Sequence, residues 1–133
     1  MALPNGSGGY QVGAGGNEPL FFPQGAPTAL TAGATATAAQ LVNGLFTFNG
    51  TAGNLVLPTV ALLEAAYPSL ADKVDSAFDF YVINIDASGS DAITVAIGTG
   101  WTLVGAGAVA AASSGHFRAR KTGDGTWTVY RVS

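Results

Sequence analysis

The chain contains no cysteine. That excludes a disulfide framework, thiolate zinc sites and thiol catalysis. A chain of 133 residues is long enough for one domain with a core that needs no such staples. Charge is scarce as well: 10% of residues are Asp, Glu, Lys or Arg, where roughly a quarter is usual. Glycine, alanine, threonine and serine take their place, a composition suited to a protein that covers much of its surface with other protein. The net charge of −3 disfavours a general nucleic-acid binder, whose affinity comes from neutralising phosphates. His116 is the single histidine. No apolar run is long enough to span a bilayer. No basic segment followed by an apolar run opens the chain, so no secretory signal is expected and synthesis is expected in the cytoplasm.

What is present is a β-rich body. In Ala77–Ile85, AFDFYVINI, Phe78, Phe80 and Val82 fall on one face of an extended strand and Tyr81, Ile83 and Ile85 on the other. A strand apolar on both faces is expected to be central and covered on both sides, with Phe78, Phe80 and nearby Trp101 in the core. Strands are also read at GLFTFN (44–49), NLVL (54–57), around Ile93–Ile97, at Trp101–Val104, and in a C-terminal hairpin of HFRARKT (116–122) and TWTVYRV (126–132). Gly123-Asp124-Gly125 supplies the tight turn, and the pairing expected is Arg120 opposite Trp127 and Phe117 opposite Tyr130. Thr28–Thr37 is an edge strand or a loop, and Ala108–Ala112 is likewise ambiguous. Thr37 caps a helical turn ended by Asn43-Gly44. The one convincing helix is Pro58–Tyr67, with Pro58 in its first turn and Pro68 as its stop. Seven or eight strands with one short helix predict a mainly β, single-domain β-sandwich or jelly-roll-like barrel, residues 28–133, behind an extended N-terminal arm.

That arm, residues 1–27, holds seven glycines and four prolines, so no helical or strand period survives in it. It nevertheless carries Leu3, Tyr10, Val12, Leu20, Phe21 and Phe22, which read as anchors for another protein's surface. The alternative is a tail whose Leu-Phe-Phe plugs its own core. The GAGGNE run (13–18) follows no strand and opens no helix, so it lacks the mechanism of a phosphate loop.

Catalytic chemistry finds no constellation. Ser113 or Ser114 with His116 and an aspartate has no supporting order or context, and the protein is expected not to be an enzyme and to need no cofactor. Asp86 and Asp91 bracket a Ser/Gly loop, DASGSD, which lacks the ligand spacing of a calcium loop and reads as a hairpin turn; no metal site is expected. Arg118, Arg120, Lys121 and Arg131 interleave with Trp127 and Tyr130 on the last strands. They read as a secondary interface, as a solvated edge with Arg120 stacked on Trp127, or as a sugar- or nucleic-acid-binding face.

The segments NLVLPTVALLEAAYP, SAFDFYVINIDASGSDAITVAIGTGWTLVG and FRARKTGDGTWTVYRVS together resemble the small β-rich virion structural proteins of tailed bacteriophages, over roughly Leu41 to Ser133. The resemblance implies a capsid decoration, or cement, protein. Such a protein would bind the major capsid protein on the capsid exterior, commonly as a homotrimer, without nucleic-acid or membrane partners. It is also compatible with a receptor- or glycan-binding module of a fibre or tail structure.

Overall fold

A computed structural model describes residues 23–133, and within them 43% of residues are in strands and 15% in helices. The elements are β1 (Thr28–Leu30), β2 (Ala34–Thr35), α1 (Ala38–Asn43), β3 (Leu45–Phe48), β4 (Gly53–Val56), α2 (Val60–Ala66), α3 (Pro68–Ala71), β5 (Ala77–Asn84), β6 (Ile93–Ala96), β7 (Trp101–Val104), β8 (Ala108–Val109), β9 (Ser113–Gly123) and β10 (Thr126–Arg131). They form a six-stranded sheet in the order β1-β3-β5-β9-β10-β7 and a four-stranded sheet in the order β2-β4-β6-β8. One apolar core draws on both. Of the two architectures expected, the sandwich is the one formed.

From β1 to β9 each successive strand changes sheet, so strands adjacent in sequence seldom pair. β1, β3 and β5 run parallel in the large sheet, and β2, β4 and β6 run parallel in the small one. Parallel neighbours need a crossover, and here the opposite sheet provides it. The DASGSD loop is therefore a corner between sheets and not the hairpin turn expected, because β5 pairs with β3 and β9 while β6 pairs with β4 and β8. Stacked corners leave little space. A Cβ on Gly50 would lie 1.9 Å from the Thr31 carbonyl oxygen, the same oxygen that accepts a hydrogen bond from the Thr51 amide at 3.1 Å.

The helices follow their caps. The Thr37 hydroxyl accepts from the Gln40 amide and the Gln40 side chain accepts from the Thr37 amide, which closes a capping box on α1. Gly44 ends that helix at φ 82°, in the left-handed region that glycine enters without penalty. α2 begins later than expected. Thr59 caps it through the Leu62 amide, while Pro58 stays outside and its carbonyl accepts from Trp101 Nε1 at 2.7 Å. Pro68 stops α2 and also opens α3 at its first turn, so the described residues hold three short helices where one helix and a Thr37-capped helical turn were expected.

Inside, Phe80 stacks on Phe117 with ring centres 5.1 Å apart and meets Phe46 edge-on at 6.4 Å. Trp127 packs between Phe78 and Trp101 at 5.7 and 5.8 Å. Phe80, Phe117 and Trp127 are fully buried. Asn84, also buried, ties the end of β5 to its surroundings. Its amide donates to the Asp91 and Val109 carbonyls, and its oxygen accepts from the Asp86 amide.

Candidate interaction surface

β5 is an interior strand of the large sheet, as its sequence predicts, but among the described residues it is covered on one side only. Phe80, Val82 and Asn84 point into the core, while Tyr81, Ile83 and Ile85 point outward and are 44%, 36% and 54% exposed. The expectation of two covered faces is therefore corrected for the described residues: the core lies on the inner face, and Tyr81, Ile83 and Ile85 on the outer one stay exposed. Register extends the stripe sideways. Tyr81 sits between Leu45 on β3 and His116 on β9, and Ile83 sits between Thr47 and Ser114. The result is an outward patch with an apolar centre spread over three strands. Such patches on folded proteins mark interaction sites.

The charges beside this patch are already paired. Asp79 takes two hydrogen bonds from Arg118, at 2.6 and 3.0 Å, and lies 3.1 Å from His116 Nε2. The Arg118 hydrogen bonds hold the Asp79 carboxyl down at about 2, helped by His116 and opposed by partial burial. Tyr81 stacks on the His116 ring at 4.4 Å. Arg120 donates to Asp75 at 2.8 Å and to the Tyr130 hydroxyl at 2.7 Å, and lies over the Tyr130 ring. The cation–π partner expected for Arg120 was Trp127; the structure gives it Tyr130.

That correction follows from register. Trp127 pairs with Lys121, Tyr130 with Arg118 and Arg131 with Phe117, one position away from the pairing expected. The turn sets Gly123 opposite Thr126, two positions from the pairing expected, and a bulge between Thr126 and Trp127 takes one of them back; one residue of slip exchanges the faces of a strand. Lys121 and Trp127 consequently point inward, 3% and 0% exposed, and neither can contribute to an exposed interface. Glu64 on α2 meets both: Lys121 Nζ lies 2.5 Å and Trp127 Nε1 2.9 Å from its Oε2. Burial pushes the Glu64 carboxyl up, but the two hydrogen bonds and the Lys121 charge outweigh it and leave it below its ordinary value. Arg131 donates to the Ala106 and Ala108 carbonyls and lies over Phe117. Of the six residues read as a secondary interface, Arg118, Arg120, Tyr130 and Arg131 keep some exposure, and each is engaged within the chain.

The remaining candidates resolve into structural roles. The Ser113 hydroxyl donates to the Ala110 carbonyl, and His116 faces Asp79. Asp86 accepts from the Ser88 amide and hydroxyl, which lower its pKa and close the corner turn. Asp91 accepts from the Ala52 amide. Among the described residues no three His, Cys, Asp or Glu side chains gather as metal ligands, and no helix is long and apolar enough to cross a membrane. Leu3, Tyr10, Val12, Leu20, Phe21 and Phe22 lie outside the described residues. No protein-family model, curated protein or solved structure matches this chain.

The Tyr81–Ile83–Ile85 stripe was visible in the sequence as the second apolar face of β5, although its exposure was not. The Glu64–Lys121–Trp127 node was missed because it joins residues 57 and 63 positions apart; an isolated glutamate on an otherwise apolar helix was the available signal.

Proposed function

We propose that this protein is a capsid decoration (cement) protein of a tailed bacteriophage, which assembles as a homotrimer and binds the major capsid protein on the outside of the head. The observation that carries the reading is the outward face of the large sheet. Tyr81, Ile83 and Ile85 stand exposed on an interior strand, beside charges neutralised within the chain, so another protein surface can cover them without burying an unpaired charge. The low overall charge and the resemblance of Leu41–Ser133 to phage virion proteins support the same reading. In it the sheet face serves self-association, and residues 1–27 attach the oligomer to the capsid through Leu3, Tyr10, Val12, Leu20, Phe21 and Phe22. Attachment by several arms at once adds avidity.

Co-sedimentation with purified phage heads tests this. The full chain is expected to pellet with heads and not with isolated tails or fibres. Removal of residues 2–18 is expected to release it while its circular dichroism stays native. Binding to fibres alone would favour a receptor- or glycan-binding module instead. Full head occupancy without the arm would move the attachment site to the body.

A further inference from the structure

Between the start of α1, the exposed side of α2 and the end of β4 lies an open groove of about 690 Å³. Ala36, Ala38, Leu57, Pro58, Leu62 and Ala66 line it together with threonines, and no charged side chain does. Leu62, at 61%, is the most exposed large hydrophobic residue of the described chain. In an amphipathic helix it occupies a position normally given to a polar residue. The groove thus offers an apolar wall with nothing to neutralise, which fits uncharged aliphatic or aromatic side chains.

The backbone of Gln24–Ala26 is fastened to the other end of α1. Gln24 Nε2 donates to the Asn43 carbonyl at 2.9 Å, the Gly25 amide donates to Asn43 Oδ1 at 3.0 Å, and Asn43 Nδ2 donates to the Ala26 carbonyl at 3.0 Å. α1 has six residues and is therefore about 9 Å long. Leu20, Phe21 and Phe22 immediately precede Pro23, and three extended residues reach about 10 Å. That reach matches one helix length, so the most hydrophobic tripeptide of the arm is long enough to span from the clasp to the groove.

We propose that this groove is the seat of the Leu20-Phe21-Phe22 segment of the same chain. Three things select this occupant over a second copy or a free apolar ligand. The Asn43 clasp fixes where the segment enters. The segment matches the groove in chemistry, since neither carries charge. And a tether of a few residues gives it an effective concentration in the millimolar range, which a separate molecule at micromolar concentration cannot match. The inference goes beyond the capsid reading and revises it in one respect: Leu20, Phe21 and Phe22 belong to the body, and capsid attachment falls to Leu3, Tyr10 and Val12 within residues 1–19.

Because the chain has no cysteine, a single introduced pair reports the contact without background. Leu20→Cys with Leu62→Cys keeps both phenylalanines. In the free protein at micromolar concentration, mild oxidation is expected to give an intramolecular disulfide, read by mass spectrometry and non-reducing electrophoresis. The control pair Leu20→Cys with Val132→Cys should stay largely reduced. Val132 is 53% exposed and lies just beyond the C-terminal strand. Disulfide-linked dimers of the first variant would overturn the proposal in favour of a second copy in the groove. Cross-linking no faster than in the control would overturn it outright. As an independent readout, Phe21→Ala with Phe22→Ala is expected to lower the Tm of the free protein by roughly 5 °C, and an unchanged Tm would also count against it. No heads take part in either measurement, so failure here is separable from failure of capsid binding.

Discussion

At the scale of single residues, ionisable groups of the body are engaged in pairs within the chain. Lys121 is 3% exposed and faces Glu64. Breaking a buried pair leaves one charge without compensation, which costs about 3–5 kcal/mol. Lys121→Met alone is therefore expected to cost about 3 kcal/mol in urea unfolding. Adding Glu64→Gln should recover most of it, since the glutamine oxygen still accepts from Trp127 Nε1 and no charge remains. Asp79 gives a pH signature. Its folded pKa of about 2 lies below its ordinary 3.8, so the folded state binds fewer protons in that interval and stability rises with pH there. The contribution is present above about pH 4 and is lost as pH falls toward 2. With solvent screening at a side chain 27% exposed, about 1 kcal/mol is expected. Unfolding of Asp79→Asn followed between pH 5 and 2 should lack this part of the acid loss; an unaltered profile would mean that other carboxylates dominate.

At the scale of elements, two sites test how the sheets are held. Phe80 is fully buried between Phe46 and Phe117, so Phe80→Ala is expected to cost about 3–5 kcal/mol and to depress the melting temperature sharply. Unchanged stability would contradict its place in the core. Gly50→Ala must push a methyl group into the Thr31 carbonyl, and about 2 kcal/mol is expected for the backbone shift that follows. An alanine tolerated there would show that the stacked corners can separate. These elements differ in how well the sequence announced them. β3, β5, β10 and the cap of α1 follow from alternation and from Thr37, which are local signals. The pairing of β10 with β9 also follows, from the Gly123-Asp124-Gly125 turn, although its register does not; the partners of β3 and β5 do not follow, because a corner loop such as DASGSD has the composition of a hairpin turn whether the next strand pairs beside it or joins the other sheet. The bulge next to Trp127 was hidden as well: it lets Lys121 and Trp127 share a face and both meet Glu64 on α2, a partner far away in sequence.

At the scale of the whole molecule, the outward apolar face is the surface proposed for self-association. If Tyr81, Ile83 and Ile85 bury one another's surface between copies, Ile83→Asp with Ile85→Lys should shift sedimentation-equilibrium mass from trimer to monomer. Monomer stability should change by less than about 0.5 kcal/mol, as is usual for exposed positions. A wild-type mass of one chain at micromolar concentration would argue against self-association through this face. The same experiment separates the sheet face from the arm, since the substitutions leave residues 1–27 intact.

The sequence by itself determined that the body is β-rich, that Phe80, Trp101 and their neighbours are core, and that a helical turn starts after Thr37. It did so because alternation, capping and turn composition act over a few residues. Only the tertiary structure decided that the strands alternate between two sheets, that one face of β5 stays in the open, and that Lys121 and Trp127 lie inside. Those outcomes depend on which distant segment packs most favourably against a strand, and an apolar pattern records that a surface must be covered without recording by what.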